Sequence, residues 1–256
     1  MKIVSKRETT WKDVVRHALM ELGGTGHLRD INGIVKNHPK TKTNPTWRDT
    51  IRRVVRQYSI FEPVGAHRSG KYRLVDHVEG TAEPGHIDRT DHSAAQGMLL
   101  ALGRLYGYET FAPAPDRNSR EFQGQPLASF TTVNDCSGFC KGVAVGRVRQ
   151  IDAIWLDEDT EGPFPVYAFE VEHTTKVRSG LDRLVEVPGR FHAQLFVVAP
   201  GDEEKALFER LVEESRFRKF RNRLAFRDYK ELETLYNAAV THDTAITTFG
   251  VKPRPL

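Results

Sequence analysis

From Val166 to Glu172 the chain reads Val-Tyr-Ala-Phe-Glu-Val-Glu, an alternation with a period of two that suits a half-buried strand. It puts Glu170 and Glu172 on one face, with Tyr167, Phe169 and Val171 on the other. A preceding run, Val145 to Trp155, also reads as a strand and carries Asp152. The acidic, Gly- and Pro-containing stretch from Asp157 to Pro165 reads as the turn between them. If the strands pair, Asp152 lies opposite the two glutamates. Three carboxylates on one face of an apolar sheet repel one another and are costly to desolvate, so the pattern predicts a divalent cation. Oxygen-only donors favour Mg2+ or Mn2+ over zinc.

The charge is unevenly spread. Residues 1–80 hold 16 Lys+Arg against 8 Asp+Glu, a net of +8, whereas the whole chain is +4, which leaves −4 for residues 81–256. A basic third beside an acidic remainder is the footprint of a module that meets a polyanion, with nucleic acid favoured over a membrane. No apolar run reaches spanning length, and the N-terminus lacks the apolar core of a signal peptide, so a cytoplasmic location is expected. The two cysteines, Cys136 and Cys140, have no second pair to complete a zinc site and read as reduced thiols.

Within residues 1–78, Trp11, Val14, Val15, Ala18, Leu19 and Leu22 repeat at helical spacing until Gly23-Gly24, and Leu28, Ile31, Ile34 and Val35 mark a second helix over 27–37. After the basic loop His38–Thr43, Asn44 is the expected cap of a third helix with Pro45 at its first position. Its buried stripe is Trp47, Ile51, Val54, Val55 and Tyr58, which turns Asp49, Arg52, Arg53 and Arg56 outward. The runs 59–64 and 71–75 then predict a hairpin. Three helices and a basic hairpin resemble a winged helix-turn-helix. The resemblance implies DNA contacts from Arg48, Arg52, Arg53, Arg56, Arg68 and Lys71, with the third helix in a major groove. A solvated charged face, or a winged helix that binds protein, is the other reading. Residues 79–91 read as a linker.

In residues 92–256, Ser93 is the expected cap of a helix that ends at Gly107, and Tyr108–Phe111 is a short strand. The stretch 112–142 lacks a clean period, and the acidic hairpin follows it. Helix 174–187, strand 191–199, helix 202–215, strand 224–227 and helix 229–239 complete the expectation. The order αβββαβ around a central mixed sheet resembles the PD-(D/E)XK, or restriction-endonuclease-like, superfamily, an α+β or α/β architecture. Asp152 matches the first motif acid and Glu170-Val171-Glu172 the acid-x-lysine element, with Glu172 where lysine is usual. The resemblance implies a Mg2+- or Mn2+-dependent DNA endonuclease, with Asp152, Glu170 and Glu172 as catalytic and metal-binding residues. Because both strands of a duplex must be cut, a homodimer is expected, with sequential nicking by a single site as the alternative.

The glutamate at the third position points to two-metal hydrolysis or to proton acceptance by Glu172, and leaves lost activity open. Gln96 and His92, at the start of the first core helix, are further candidates for the site, as are Thr174, Thr175, Arg178 and Arg183 for phosphate. His173 is expected on the opposite strand face, in a packing role. Arg216–Arg223, where basic and aromatic residues alternate, reads as a turn with two core phenylalanines or as a nucleic-acid track. The rival functions are an inactive DNA-binding or regulatory protein that keeps the fold, an RNA nuclease, and a nuclease subunit of a defence complex. An acidic surface hairpin with merely solvated carboxylates is the blandest alternative.

Overall fold

A computed structural model describes residues 9–65, 69–75, 83–160, 162–173 and 176–250. The chain divides into two compact units, Met1–His77 with Glu158–Phe164 and Val78–Asp157 with Pro165–Leu256.

In the first unit, helix α1 (Trp11–Glu21) begins at Thr10, whose side chain accepts the Asp13 N–H while the Asp13 carboxylate accepts the Thr10 N–H. This reciprocal cap satisfies two otherwise unpaired donors. Strand β1 (Thr25–His27), helices α2 (Leu28–Val35), α3 (Lys40–Thr43) and α4 (Trp47–Gln57), and strands β2 (Phe61–Pro63) and β3 (Lys71–Leu74) follow. The strands form an antiparallel sheet in the order β1-β3-β2. Two expectations need correcting. The basic loop contains a helical turn, α3, and α4 starts at Trp47 because the Asn44 side chain accepts the Thr46 N–H, closing a local turn before the helix. The stripe of α4 is buried as expected, down to Tyr58, which donates to Glu158 Oε1 at 2.7 Å.

The second unit opens with α5 (His92–Leu105), β4 (Glu109–Phe111), α6 (Ala114–Ser119), β5 (Glu121–Phe122), β6 (Gln125–Pro126) and α7 (Ala144–Val148). It continues with β7 (Ala153–Asp159) and β8 (Gly162–Val171), apart from their residues within Glu158–Phe164, and then with α8 (Val177–Leu184), β9 (Gln194–Ala199), α9 (Asp202–Val212), α10 (Ser215–Arg218), β10 (Leu224–Asp228) and α11 (Tyr229–Phe249). The main sheet runs β10-β9-β8-β7-β4, with β4 antiparallel to β7 and β9 parallel to both β8 and β10. The class is therefore mixed α/β with a mixed central sheet.

Several boundaries differ from the expectation. Val145–Trp155 is not one strand: Ala144–Val148 is helical and β7 begins only after Asp152. Val145, Val148 and Ile151 are three apart, so the same residues satisfy a helical period, and Val148 and Ile151 are buried in that arrangement. The turn between β7 and β8 is shorter than expected because Asp159 accepts the Gly162 N–H and Gly162 takes φ +127°. The cap of α5 is Asp91, which accepts the Ala94 N–H, and not Ser93. Helix α8 starts at Val177, and β9 starts at Gln194 because a 3-10 turn and a left-handed His192 precede it. Helix α11 runs on to Phe249. Within the stretch read as a linker, Gly85 exchanges two hydrogen bonds with the Asn237 side chain, and the Ile87 N–H donates to Glu233.

One face of the sheet carries Trp155, Phe169, Val171 and Val198, which pack with Met98, Leu99 and Leu102 of α5 and Leu232 and Tyr236 of α11. Gly97 lets α5 close on Phe122, since a Cβ there would lie 2.2 Å from Phe122 Cγ. Gly97→Ala should therefore destabilise the protein by about 1–3 kcal/mol, the usual cost of overpacking, and urea denaturation measures it. An unchanged midpoint would mean that Phe122 swings away freely.

Candidate active site

Asp152 sits where the chain enters β7. Its Oδ2 accepts the Val171 N–H of β8 at 2.8 Å, so the first acid is pinned to the strand that carries the other two. Glu170 lies within β8 and Glu172 directly after it, where its N–H donates to Val198 of β9. All three are buried, Glu170 completely. The period of two holds here, and both glutamates turn toward α8.

Arg183 of α8 meets them there. Its Nε and Nη2 donate to Glu170 Oε1 and Oε2 at 2.7 and 2.5 Å, and Nη2 lies 3.4 Å from Glu172 Oε1. Gly180 permits the approach, because a Cβ at that position would stand 3.0 Å from Glu172 Oε1 and 3.2 Å from Glu170 Cβ. Burial first, then the Asp152 charge, pushes the Glu170 carboxyl well above the usual range despite the opposing pull of Arg183. The same two causes raise Glu172 to about 6. Tyr229, buried nearby, has its phenol pushed upward by burial and then by the charges of Asp152 and Glu172.

On the other side of Asp152, the N-terminus of α5 supplies His92 and Gln96, and α6 supplies Asp116. His92 Nε2 lies 3.4 Å from Asp152 Oδ1 without making a hydrogen bond. Fully buried Gln96 donates to the Asp152 carbonyl at 2.7 Å and to Asp116 Oδ2 at 3.0 Å, while its own Oε1 has no partner. One donor atom each from His92, Asp116 and Asp152 falls within 4.8 Å of the others, a spacing that suits a single cation. These residues fit a divalent metal: two are carboxylates, and the third is an imidazole with a buried, unpartnered nitrogen. The His173 ring, expected on the far strand face, stands edge-on to His92 at 5.8 Å.

Of the three acids singled out from the strand pattern, Asp152 thus faces the His92–Asp116 group, whereas Glu170 has both oxygens bonded to Arg183. The Gln96 side-chain amide bridges the site, donating to the Asp152 carbonyl and to the Asp116 carboxylate. Arg183 pairs with carboxylates, Arg178 pairs with Glu214, and Thr174 and Thr175 lie outside the described residues. Asp116 was not foreseen. The run Pro113-Ala114-Pro115-Asp116 has the signature of a helix start, but nothing local links it to Asp152. In the basic 216–223 stretch, which forms the end of α10 and a 3-10 turn, Arg216 pairs with Asp182, Arg221 with Glu213, and Arg223 donates to Ala193 O; of the two phenylalanines expected in the core, Phe217 is fully buried and Phe220 half-buried. Both cysteines are free and buried.

Arg48, Arg52, Arg53 and Arg56 are exposed on α4, as is Lys71 on β3, while Arg68 lies outside the described residues. Arg52 pairs with Asp49 at 2.9 Å, and the Arg48 guanidinium lies 4.3 Å from the Trp47 ring centre.

Residues 76–251 match the family model described as "Type II restriction enzyme NmeDI C-terminal domain". The match covers more than half of the chain and contains every residue of the site just described. The chain belongs to this restriction-enzyme family. No curated protein and no solved structure matched it. Among the described residues no helix is long and apolar enough to cross a membrane.

The raised glutamates have a consequence for stability. Between pH 4.5 and about 6 the folded state retains a proton on Glu172 that the unfolded chain has lost. Folding is therefore favoured at the acidic end and loses that contribution as pH rises through 6, and Glu170 extends the loss to higher pH. The Tm of metal-free protein should fall over this window, less steeply in Glu172→Gln. Parallel profiles for the two proteins would contradict it.

Proposed function

We propose that the protein is a Mg2+- or Mn2+-dependent DNA endonuclease of the type II restriction kind, with a PD-(D/E)XK-like catalytic unit and an N-terminal winged helix that binds DNA. The observation that carries the reading is the convergence of His92, Asp116 and Asp152 beside the Glu170–Glu172 pair, inside the region matched by the restriction-enzyme family. The element order α5, β4, β7, β8, α8, β9 supports the superfamily assignment. The sheet order β1-β3-β2 behind α4, with Arg48, Arg52, Arg53 and Arg56 exposed, supports the winged helix. In the domain division this entails, residues 1–78 bind DNA and 92–256 cut it.

Asp152, Asp116 and His92 would hold the ion, which supplies Lewis acidity toward a phosphodiester and a more acidic bound water. The protein's own groups do the rest. Glu172, with its carboxyl raised to about 6, is matched to accept a proton near neutral pH. Arg183 places a permanent positive charge against Glu170 and Glu172, and Gln96 fixes the Asp152 backbone and the Asp116 carboxylate together. Because both strands of a duplex must be cut, a homodimer with one site per subunit suits the task.

Incubation with duplex DNA in Mg2+, Mn2+ or EDTA tests the reading. Cleavage only with metal is expected. Duplex bound but left intact at high Mn2+ would make the protein a DNA binder and not an enzyme. For the binding unit, Arg52→Ala/Arg56→Ala in the full chain should weaken duplex binding and lower the log–log salt slope by about two, near one per lost phosphate contact. Fluorescence anisotropy across a salt series measures this, and an unchanged slope would move recognition away from α4.

A further inference from the structure

Helix α11 buries Tyr229, Leu232, Tyr236 and Val240, and beyond Val240 none of its side chains is buried. A solvent-facing stretch of this kind would ordinarily be rich in charge, since 28% of the chain is Asp, Glu, Lys or Arg. From Thr234 to Phe249 the only such residue is Asp243, and Thr and Ala predominate. Leu235, Ala239, His242, Ile246 and Phe249 follow one another at spacings of four and three, the repeat of a helix that packs lengthwise against another helix. Leu235 is 47% and Phe249 85% exposed. Depleted charge beside exposed large apolar side chains marks a surface that is covered in an assembly.

One end of this stripe is a hole and the other a knob. At Leu235 the helix borders an open cavity of about 280 Å3, walled by Leu99, Leu102, Trp155, Tyr167 and Phe196. Apolar cavities of about 150 Å3 hold a benzene ring, so this one has room for a phenyl side chain. Phe249, at the far end, presents such a ring to solvent. His242 lies midway, seven residues from each. Over two heptads a straight helix drifts by only about 40° from the seam, so knob and hole share one side of α11. An antiparallel copy of α11 crossed at His242 brings Phe249 of each chain to the cavity of the other, which is the reciprocity that a two-fold interface requires. Ala239 and Ala245, three residues to either side of His242, keep the crossing thin.

Charge agrees with this arrangement. Arg227 is exposed on the cavity lining, its guanidinium 5.6 Å from the Phe196 ring centre, and the last carbonyls of a helix carry partial negative charge. The incoming C-terminal end of α11 thus meets a cation. Glu231, the other charged residue of the lining, accepts the Asp228 N–H at 2.9 Å.

We infer that α11 is the interface of a two-fold dimer of this chain, in which Phe249 of each subunit fills the cavity beside Leu235 of the other. The inference rests on the homodimer of the proposed function and gives it a surface, and it requires neither metal nor cleavage.

Sedimentation equilibrium of the full chain, without metal or DNA, should show a reversible dimer. Phe249→Glu should raise the dimer dissociation constant by about thirtyfold or more, the loss that follows removal of a buried aromatic anchor. The far-ultraviolet circular dichroism of that variant should match native protein, because the ring is exposed in the single chain. A short bifunctional thiol reagent should join His242→Cys to its own copy, since only residues at the two-fold axis meet themselves. It should not join Thr234→Cys, which antiparallel packing holds about 24 Å from its copy. The native thiols, Cys136 and Cys140, are buried and do not compete. A native monomer would overturn both the inference and the homodimer. A native dimer that Phe249→Glu leaves intact, or that the reagent does not lock through His242→Cys, would overturn this interface alone and leave the homodimer standing.

Discussion

Asp152→Asn should lower DNA cleavage by about a thousandfold while the protein stays folded. Asparagine is isosteric, and its carbonyl can still accept the Val171 N–H that ties Asp152 to β8. Only the charge is lost, and with it the ability to hold a cation beside His92 and Asp116. Losses on the order of 10²–10⁴ accompany removal of a group that acts directly in proton transfer, and loss of the ion should be at least as severe. The metal-free variant should also be more stable than native protein. The Asp152 charge is a cause of the raised carboxyls at Glu170 and Glu172, so removing it eases both. Gel cleavage assays and thermal melts in EDTA check the two halves. Near-native cleavage would remove Asp152 from the chemistry, and a lower Tm would mean that its charge stabilises the apo site.

Arg183→Ala should cost about 3–5 kcal/mol of folding stability at alkaline pH, the range for breaking one side of a buried ion pair. Glu170 is 0 % exposed and would be left without its counter-charge. Its carboxyl is already well above the ordinary range and would then take up a proton, which relieves the charge. The cost should therefore shrink as pH falls, because the neutral acid needs no partner. Urea denaturation of native and variant protein at pH 5.5 and 8 gives the comparison. A cost below about 1 kcal/mol at both would show that Arg183 contributes no more than an exposed pair does. A cost independent of pH would show that lost packing, and not charge, is responsible.

Much of the frame is legible locally. The helical stripe of α4 and the alternation of β8 each repeat a pattern that one element satisfies alone, so Trp47, Ile51 and Val54 are buried and Glu170 and Glu172 share a face. The apolar faces of α5 and β9 were legible for the same reason. Residues 145–151 misled because valines three apart fit a helix as well as a strand, and only neighbouring elements choose between the two. Asp91 displaced Ser93 as a cap through a side-chain bond that any nearby Asp or Ser can make.

What the sequence by itself determined is the shared face of Glu170 and Glu172, the basic N-terminal third and the main helices and strands with a clean period, since these depend on residue type and short spacing. The tertiary structure decided which groups face those acids. Asp116, 36 residues before Asp152, arrives on a short helix, Gln96 bridges them from α5, and Arg183 reaches Glu170 across a packed α8. Each contact spans chain separations at which local periodicity carries no information. They form because the desolvation cost of a buried carboxylate is offset only by whatever cation or donor the fold brings beside it.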